Sequence, residues 1–138
     1  MQDCIFCKVI DGSIPSQTIY SDDRTIAFLS IQPIRPGHIL VIPKIHQDDV
    51  FSLNEQDYQA VMSTIRKLAP VLKRVYQPKR MGLMVAGWDV PHAHVHLVPM
   101  YDAKDLVSGR ILDGSAVVVD NDALQLEKDK ILAKLSKS

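Results

Sequence analysis

The chain has 138 residues, a length that suits one domain with a single hydrophobic core. Its 16 Lys and Arg balance 16 Asp and Glu, which argues against a general electrostatic grip on nucleic acid or an anionic membrane. No apolar run approaches the ~20 residues that a bilayer span needs. Met1-Gln2-Asp3-Cys4 has neither the basic nor the apolar part of a secretory leader, so the expected location is the cytoplasm.

Cys4 and Cys7 are the only cysteines. In a reducing compartment such a pair reads as a metal half-site or a redox pair before a disulfide, and buried unmetallated thiols are the bland alternative. A helical turn is predicted over residues 5–10, ending at Asp11-Gly12. Residues 18–20 and 25–29 read as strands joined by a polar turn, and residues 38–42 as a buried strand capped by Pro43. A helix begins near residues 52–54, with Tyr58, Val61, Ile65, Leu68, Leu72 and Val75 forming its apolar stripe. Pro70 should kink or break it, because proline removes one helical hydrogen bond. Strands are expected over 81–86 and 92–98, with Gly87-Trp88-Asp89 between them. The stretch 102–115 reads as loop with one short element, 117–119 as a possible strand, and Leu124, Ile131 and Leu135 as marks of a closing helix. The sum is an α+β domain.

His92, His94 and His96 stand at i, i+2 and i+4. On a strand they share one face, leaving Ala93, Val95 and Leu97 for a core on the other. Such a row can supply a nucleophile, a proton donor and phosphate hydrogen bonds near neutral pH. Metal chelation is the competing chemistry. His38, at the start of a buried strand, reads as a hydrogen-bonded core histidine.

The run His92-Ala93-His94-Val95-His96-Leu97-Val98 resembles the histidine triad motif, in which apolar residues separate three histidines. The resemblance extends to Cys4-Ile5-Phe6-Cys7-Lys8-Val9-Ile10 with Ile14-Pro15, to Ala27-Phe28-Leu29-Ser30-Ile31 with Pro33, and to Pro36-Gly37-His38 through Lys44 and His46. It covers roughly residues 3–100 of a single 1–138 domain and leaves 101–138 as a C-terminal extension with a helix. It implies a histidine triad (HIT-like) fold: a five-stranded antiparallel sheet, one long helix and a C-terminal helix, paired as a homodimer. It also implies a nucleotide ligand, most simply a purine nucleotide, and cleavage at the α-phosphate. His94 would attack phosphorus to form a nucleotidyl-histidine that water hydrolyses, and His96 would hydrogen-bond phosphate oxygens. In the family a backbone carbonyl orients the nucleophile.

The cysteine pair, His46 and His92 together make a four-ligand set suited to tetrahedral zinc. They resemble a bacterial branch of the family, and the related galactose-1-phosphate uridylyltransferases, in which the first triad histidine binds a structural zinc.

The chain also departs from the family. Ser30 stands where nucleoside-binding members carry an aspartate for the ribose hydroxyls, and serine cannot clamp both hydroxyls as a carboxylate does. Gly87-Trp88-Asp89 replaces Gly-Gln-Ser or Gly-Gln-Thr. Asp89 thus brings negative charge toward the phosphate, and Trp88 either stacks on a base or packs. The 85–92 loop is short, with Ala86 nearest the place of an expected asparagine. Phe6, Phe28 and Ile31 match base-pocket positions and equally suit a core.

Three functions fit these residues. The first is a nucleotide hydrolase or nucleotidyl transferase, of the nucleoside phosphoramidase or dinucleoside polyphosphate hydrolase type. The second is a nucleotide-binding regulatory protein with little turnover. The third, a zinc-stabilised interaction module, would need only His92 of the triad.

Overall fold

The structure, a computed structural model, describes residues 3–107 and 117–136. In chain order it has α1 (Ile5–Ile10), β1 (Thr18–Ser21), β2 (Thr25–Leu29), β3 (Ile39–Pro43), a 3₁₀ turn (Val50–Ser52), α2 (Glu55–Tyr76), β4 (Arg80–Met84), β5 (Val95–Met100) and α3 (Asn121–Leu135). The five strands form one antiparallel sheet in the order β1-β2-β3-β5-β4.

β2 and β3 are buried along their whole length because both faces of the sheet are covered. Ala27, Leu29, Ile39, Val41, Val95 and Leu97 face the main core with Val61, Leu68 and Leu72 of α2 and Ile131 of α3. Ile26, Phe28, Leu40 and Ile42 point the other way and pack with Cys4 and Phe6. Side chains alternate across a strand, so two apolar layers require an unbroken apolar run.

The Asn54 side chain caps α2 by accepting from the Asp57 N–H at 2.8 Å, and the Arg24 guanidinium pairs with Asp57 at 2.7 Å. Of the expected kink or break, the break does not occur: α2 continues through Pro70 to Tyr76. Pro70 lies on the exposed side while Leu68, Val71 and Leu72 are buried around it. Packing against the sheet outweighs one helical hydrogen bond lost on the water-facing side.

Two more expectations change. β5 begins at Val95, so the first two triad histidines precede the regular strand. The Ala93 N–H instead bonds the Gln47 carbonyl at 2.6 Å, beyond the end of β3. Residues 117–119 are not a strand, although the Val119 N–H donates to the Ile31 carbonyl at 2.8 Å. Of the stretch 102–115, residues 102–107 form turns and the rest lies outside the described residues. At the turn into β3, Gly37 has φ +87° and the Tyr76 ring lies where a Cβ would stand, so only glycine fits without strain.

Candidate active site

His94, just before β5, and His96, on it, project onto the face that carries Phe6, Phe28 and Leu40. Their rings lie 5.3 Å apart, and Phe6 meets the His94 ring edge-on at 5.2 Å. Ala93 and Val95 point into the main core. The in–out alternation read from the triad therefore holds where the chain is not yet a regular strand.

Donor and acceptor accounting assigns the protons. His94 Nδ1–H donates to the His92 carbonyl at 2.6 Å, because a carbonyl can only accept. His94 Nε2 lies 3.2 Å from Asp89 Oδ1. A carboxylate can only accept, so Nε2 holds a proton while that contact is made and offers a lone pair only when Asp89 is turned away. The Ile34 N–H donates to His38 Nδ1 at 3.0 Å. His38 must then donate from Nε2 to His96 Nδ1, at 2.9 Å. His96 in turn holds its proton on Nε2, as a donor.

His38 is the member of this relay that reading it only as a core histidine overlooked. It is buried and hydrogen-bonded as expected, but its partner is the third triad histidine. No local pattern connects two residues 58 positions apart.

Burial, with the nearby His96 ring, pushes His38 down to about 3. Burial and the His94 ring push His96 down to about 4. An unfolded histidine titrates near ~6.5, so the unfolded chain takes up protons first on acidification, and stability is lost as pH falls below that value. Between pH 7 and pH 5 each ring should cost up to about 2 kcal/mol. Thermal melts across that range should show the loss, and His38→Phe should reduce its slope. An unchanged slope would count against the buried neutral pair.

A second cluster lies beneath the triad. Cys4 Sγ, Cys7 Sγ, His46 Nδ1 and His92 Nδ1 all lie within 4.8 Å of one another. His92 Nε2–H donates to the Pro43 carbonyl at 2.9 Å, which turns the Nδ1 lone pair toward both sulfurs. That nitrogen is 3.3 Å from Cys4 Sγ and 3.5 Å from Cys7 Sγ, and His46 Nδ1 is 3.3 Å from Cys7 Sγ. Tetrahedral zinc with ordinary bond lengths would set its S···N edges at about 3.6 Å. Two sulfurs, two imidazoles and a carbonyl that fixes one tautomer are thus compatible with zinc. Burial and the adjacent Cys4 sulfur raise the Cys7 thiol, a crowding that a divalent cation relieves by holding both groups as thiolates.

A cleft of about 280 Å³ opens over the triad, walled by Phe6, Val9, Phe28 and Leu40, with Ser30, Gln17, Asn121, His94, His96 and Asp89 as its polar lining. The two phenylalanines serve core and cleft at once, packing edge to face at 5.4 Å while their surfaces form the wall. Ile31 lies at the rim. Ser30 is buried, and its Oγ accepts from the Gln32 N–H at 3.2 Å. Trp88 stands apart from the other predicted binding residues. It is 89% exposed and lines a separate cleft that also reaches His94, with Asp48, Asp49 and Phe51. Gln17 and Asn121, joined at 3.1 Å, are cleft residues that sequence reasoning missed. They come from the entry to β1 and the start of α3, and no motif marks them. Among the described residues no helix is long and apolar enough to cross a membrane.

Comparison with known proteins agrees with this architecture. The "Adenosine 5'-monophosphoramidase HNT1" of Saccharomyces cerevisiae is 35% identical over 136 residues, spanning 98% of this chain and 84% of the yeast protein. A Hit-like protein of Bartonella henselae superposes with a TM-score of 0.82 at 28% identity, covering 97% of this chain and 98% of that one. A Zn-bound histidine triad family protein of Mycobacterium smegmatis has the same fold, with a TM-score of 0.78 at 24% identity, covering 99% and 95% of the two chains. The HIT domain family model matches residues 11–103, and with the triad, the sheet order and these relatives it shows that the chain belongs to the HIT family.

Proposed function

We propose that the protein hydrolyses nucleotide derivatives at the α-phosphate, with His94 as nucleophile. The observation that carries this reading is the proton arrangement on the triad. His94 is held through Nδ1–H by the His92 carbonyl, which leaves Nε2 as the attacking nitrogen once Asp89 swings aside, and His96 offers a proton beside it. An Nε2 lone pair can form the bond to phosphorus, while a donor on the flank stabilises charge gathering on the phosphoryl oxygens. The apolar walls suit a base, and Ser30, Gln17 and Asn121 can meet polar groups of the sugar or base. The yeast relative's phosphoramidase name supports the same reaction class. The test is release of a nucleoside monophosphate from adenosine and guanosine phosphoramidates, diadenosine tetraphosphate and a sugar nucleotide. Turnover of none of them by folded protein would sink this reading.

One contact favours the second reading, a nucleotide-binding protein with little turnover. Asp89 Oδ1 lies 3.2 Å from His94 Nε2, where a phosphorus atom would have to approach. Asp89 is 68% exposed and so is free to swing aside, which is why hydrolysis remains the better reading.

In the same proposal, the Cys4, Cys7, His46 and His92 cluster holds a structural zinc. With all four positions taken by protein ligands, the ion would be closed to substrate and would tie α1 to the strand end that carries the nucleophile. The third reading, a zinc-stabilised interaction module, would give no role to the His38–His96 relay. A homodimer fits β4, an edge strand with unpaired backbone groups and an exposed Leu83. Light scattering should give twice the chain mass, and a single-chain mass would remove the dimer.

A further inference from the structure

A Cys-x-x-Cys run serves two chemistries, a metal half-site and a redox pair, and a structural zinc engages only the first. The fold places Cys4 and Cys7 at the start of α1, with Cys4 as its N-cap. The Cys4 carbonyl accepts from the Lys8 N–H at 3.2 Å, which closes the turn that separates the two. A helical turn sets Cα atoms three residues apart at about 5 Å, inside the range that a disulfide spans. The Cys4 side chain folds back over this turn, its Sγ accepting from the Cys7 N–H at 3.4 Å. The two Sγ atoms lie within 4.8 Å of each other. The pair is asymmetric, because Cys4 is 3% exposed whereas Cys7 is only half-buried.

We propose that Cys4 and Cys7 form an oxidation site, which a hydroperoxide closes to a disulfide, releasing the metal that ties α1 to the strand end carrying His94. Metal release rests on the structural-zinc reading, and disulfide formation is independent of it.

The accessible sulfur reacts first, as a thiolate. An electron pair of Cys7 Sγ forms an S–O bond while the O–O bond of the hydroperoxide breaks, and the departing oxygen takes a proton from solvent. Cys4 Sγ then attacks Cys7 Sγ. The S–S bond forms, the S–O bond breaks, and the hydroxide released takes a second proton. Two thiolates have given up two electrons, and the hydroperoxide is reduced to an alcohol and water.

Disulfide sulfurs are no longer anionic ligands, so His46 and His92 alone remain, too few for a tetrahedral site. Two contacts carry the change to the nucleophile. His92, whose Nδ1 is 3.3 Å from Cys4 Sγ, supplies the carbonyl that accepts from His94 Nδ1–H. Phe6, between the two cysteines in the chain, packs edge-on against the His94 ring at 5.2 Å. Rearranging the first turn of α1 therefore disturbs both the support of His94 and the wall of its cleft.

The test treats the full chain with hydrogen peroxide and follows three readouts: zinc in solution by a chromogenic chelator, the melting temperature, and the mass of the tryptic peptide 1–8, which contains both cysteines. The peptide should lose two hydrogens. One zinc per chain should appear, the melting temperature should fall as far as chelation takes it, and a dithiol reductant with added zinc should restore both. Methionine oxidation is not reversed by that reductant, so recovery assigns the change to the disulfide. Turnover of an adenosine phosphoramidate should drop by up to about a hundredfold on oxidation, the scale of an ångström-sized misplacement. Cys7→His keeps a metal ligand without the second sulfur and should hold its zinc through the same treatment. Zinc loss from that variant as fast as from wild type overturns the disulfide as the cause. A peptide 1–8 that stays unchanged, or that gains oxygen without losing hydrogen, overturns the oxidation site. Disulfide formation with turnover intact overturns the link to His94. Far less than one zinc per chain before treatment sinks the zinc reading alone, and the peptide mass still decides the disulfide.

Discussion

Replacing His94 with alanine is expected to lower nucleoside monophosphate release by at least about four orders of magnitude, the scale seen when a covalent nucleophile is removed. The neighbouring groups cannot substitute for it. His96 carries its proton on Nε2 because His38 donates to its Nδ1, and the His92 Nδ1 lone pair is turned toward the cysteines. The side chain is 1% exposed and packs on Phe6, so alanine also leaves a small cavity. His94→Asn, which fills more of that space, separates the two effects, and equilibrium binding of a non-hydrolysable adenosine phosphoramidate analogue should survive in both variants. Residual turnover within tenfold of wild type would assign the chemistry to another residue. Survival of binding in a protein whose wild type never turned over would instead favour the regulatory reading.

The second large effect concerns the Cys4, Cys7, His46 and His92 cluster. Protein purified without chelator should hold one zinc per chain, and removing it should lower the melting temperature by more than about 10 °C. Structural zinc in small domains contributes about 10 kcal/mol or more of apparent binding free energy. Here the main core on the other face of the sheet remains, so a partial loss is expected rather than full unfolding. In a domain of this size, about 1 kcal/mol corresponds to a few degrees. Cys7→Ser should abolish both the metal content and the response to chelator, and it should slow turnover through displacement of the His92 carbonyl that orients His94. Far less than one zinc per chain, or a melting temperature unmoved by chelator, would show that the cluster is a set of packed thiols and imidazoles.

Much of this protein is legible in its sequence because the informative features are local. The alternation of His92, His94 and His96 with Ala93, Val95 and Leu97 specifies two faces whether or not the segment is a regular strand. The stripe along α2 and the apolar runs of β2 and β3 likewise follow from periodicity. Cys4, Cys7, His46 and His92 could be grouped through resemblance, since each sits inside a recognisable motif. What failed or stayed hidden depends on contacts distant in sequence. Pro70 costs α2 a hydrogen bond, but its exposed position and the core packing around it decide that the helix continues. Val119 satisfies its N–H through one carbonyl of Ile31 rather than a strand ladder, a choice set by a neighbour 88 positions away. Gln17 and Asn121 meet only because α3 docks beside β1. Sequence alone determined which residues could do chemistry. Tertiary structure decided which ring nitrogens of His38, His92, His94 and His96 act as donors, because that depends on the Pro43 and His92 carbonyls, the Ile34 N–H and His38, and it alone brought Asp89 to 3.2 Å from His94 Nε2.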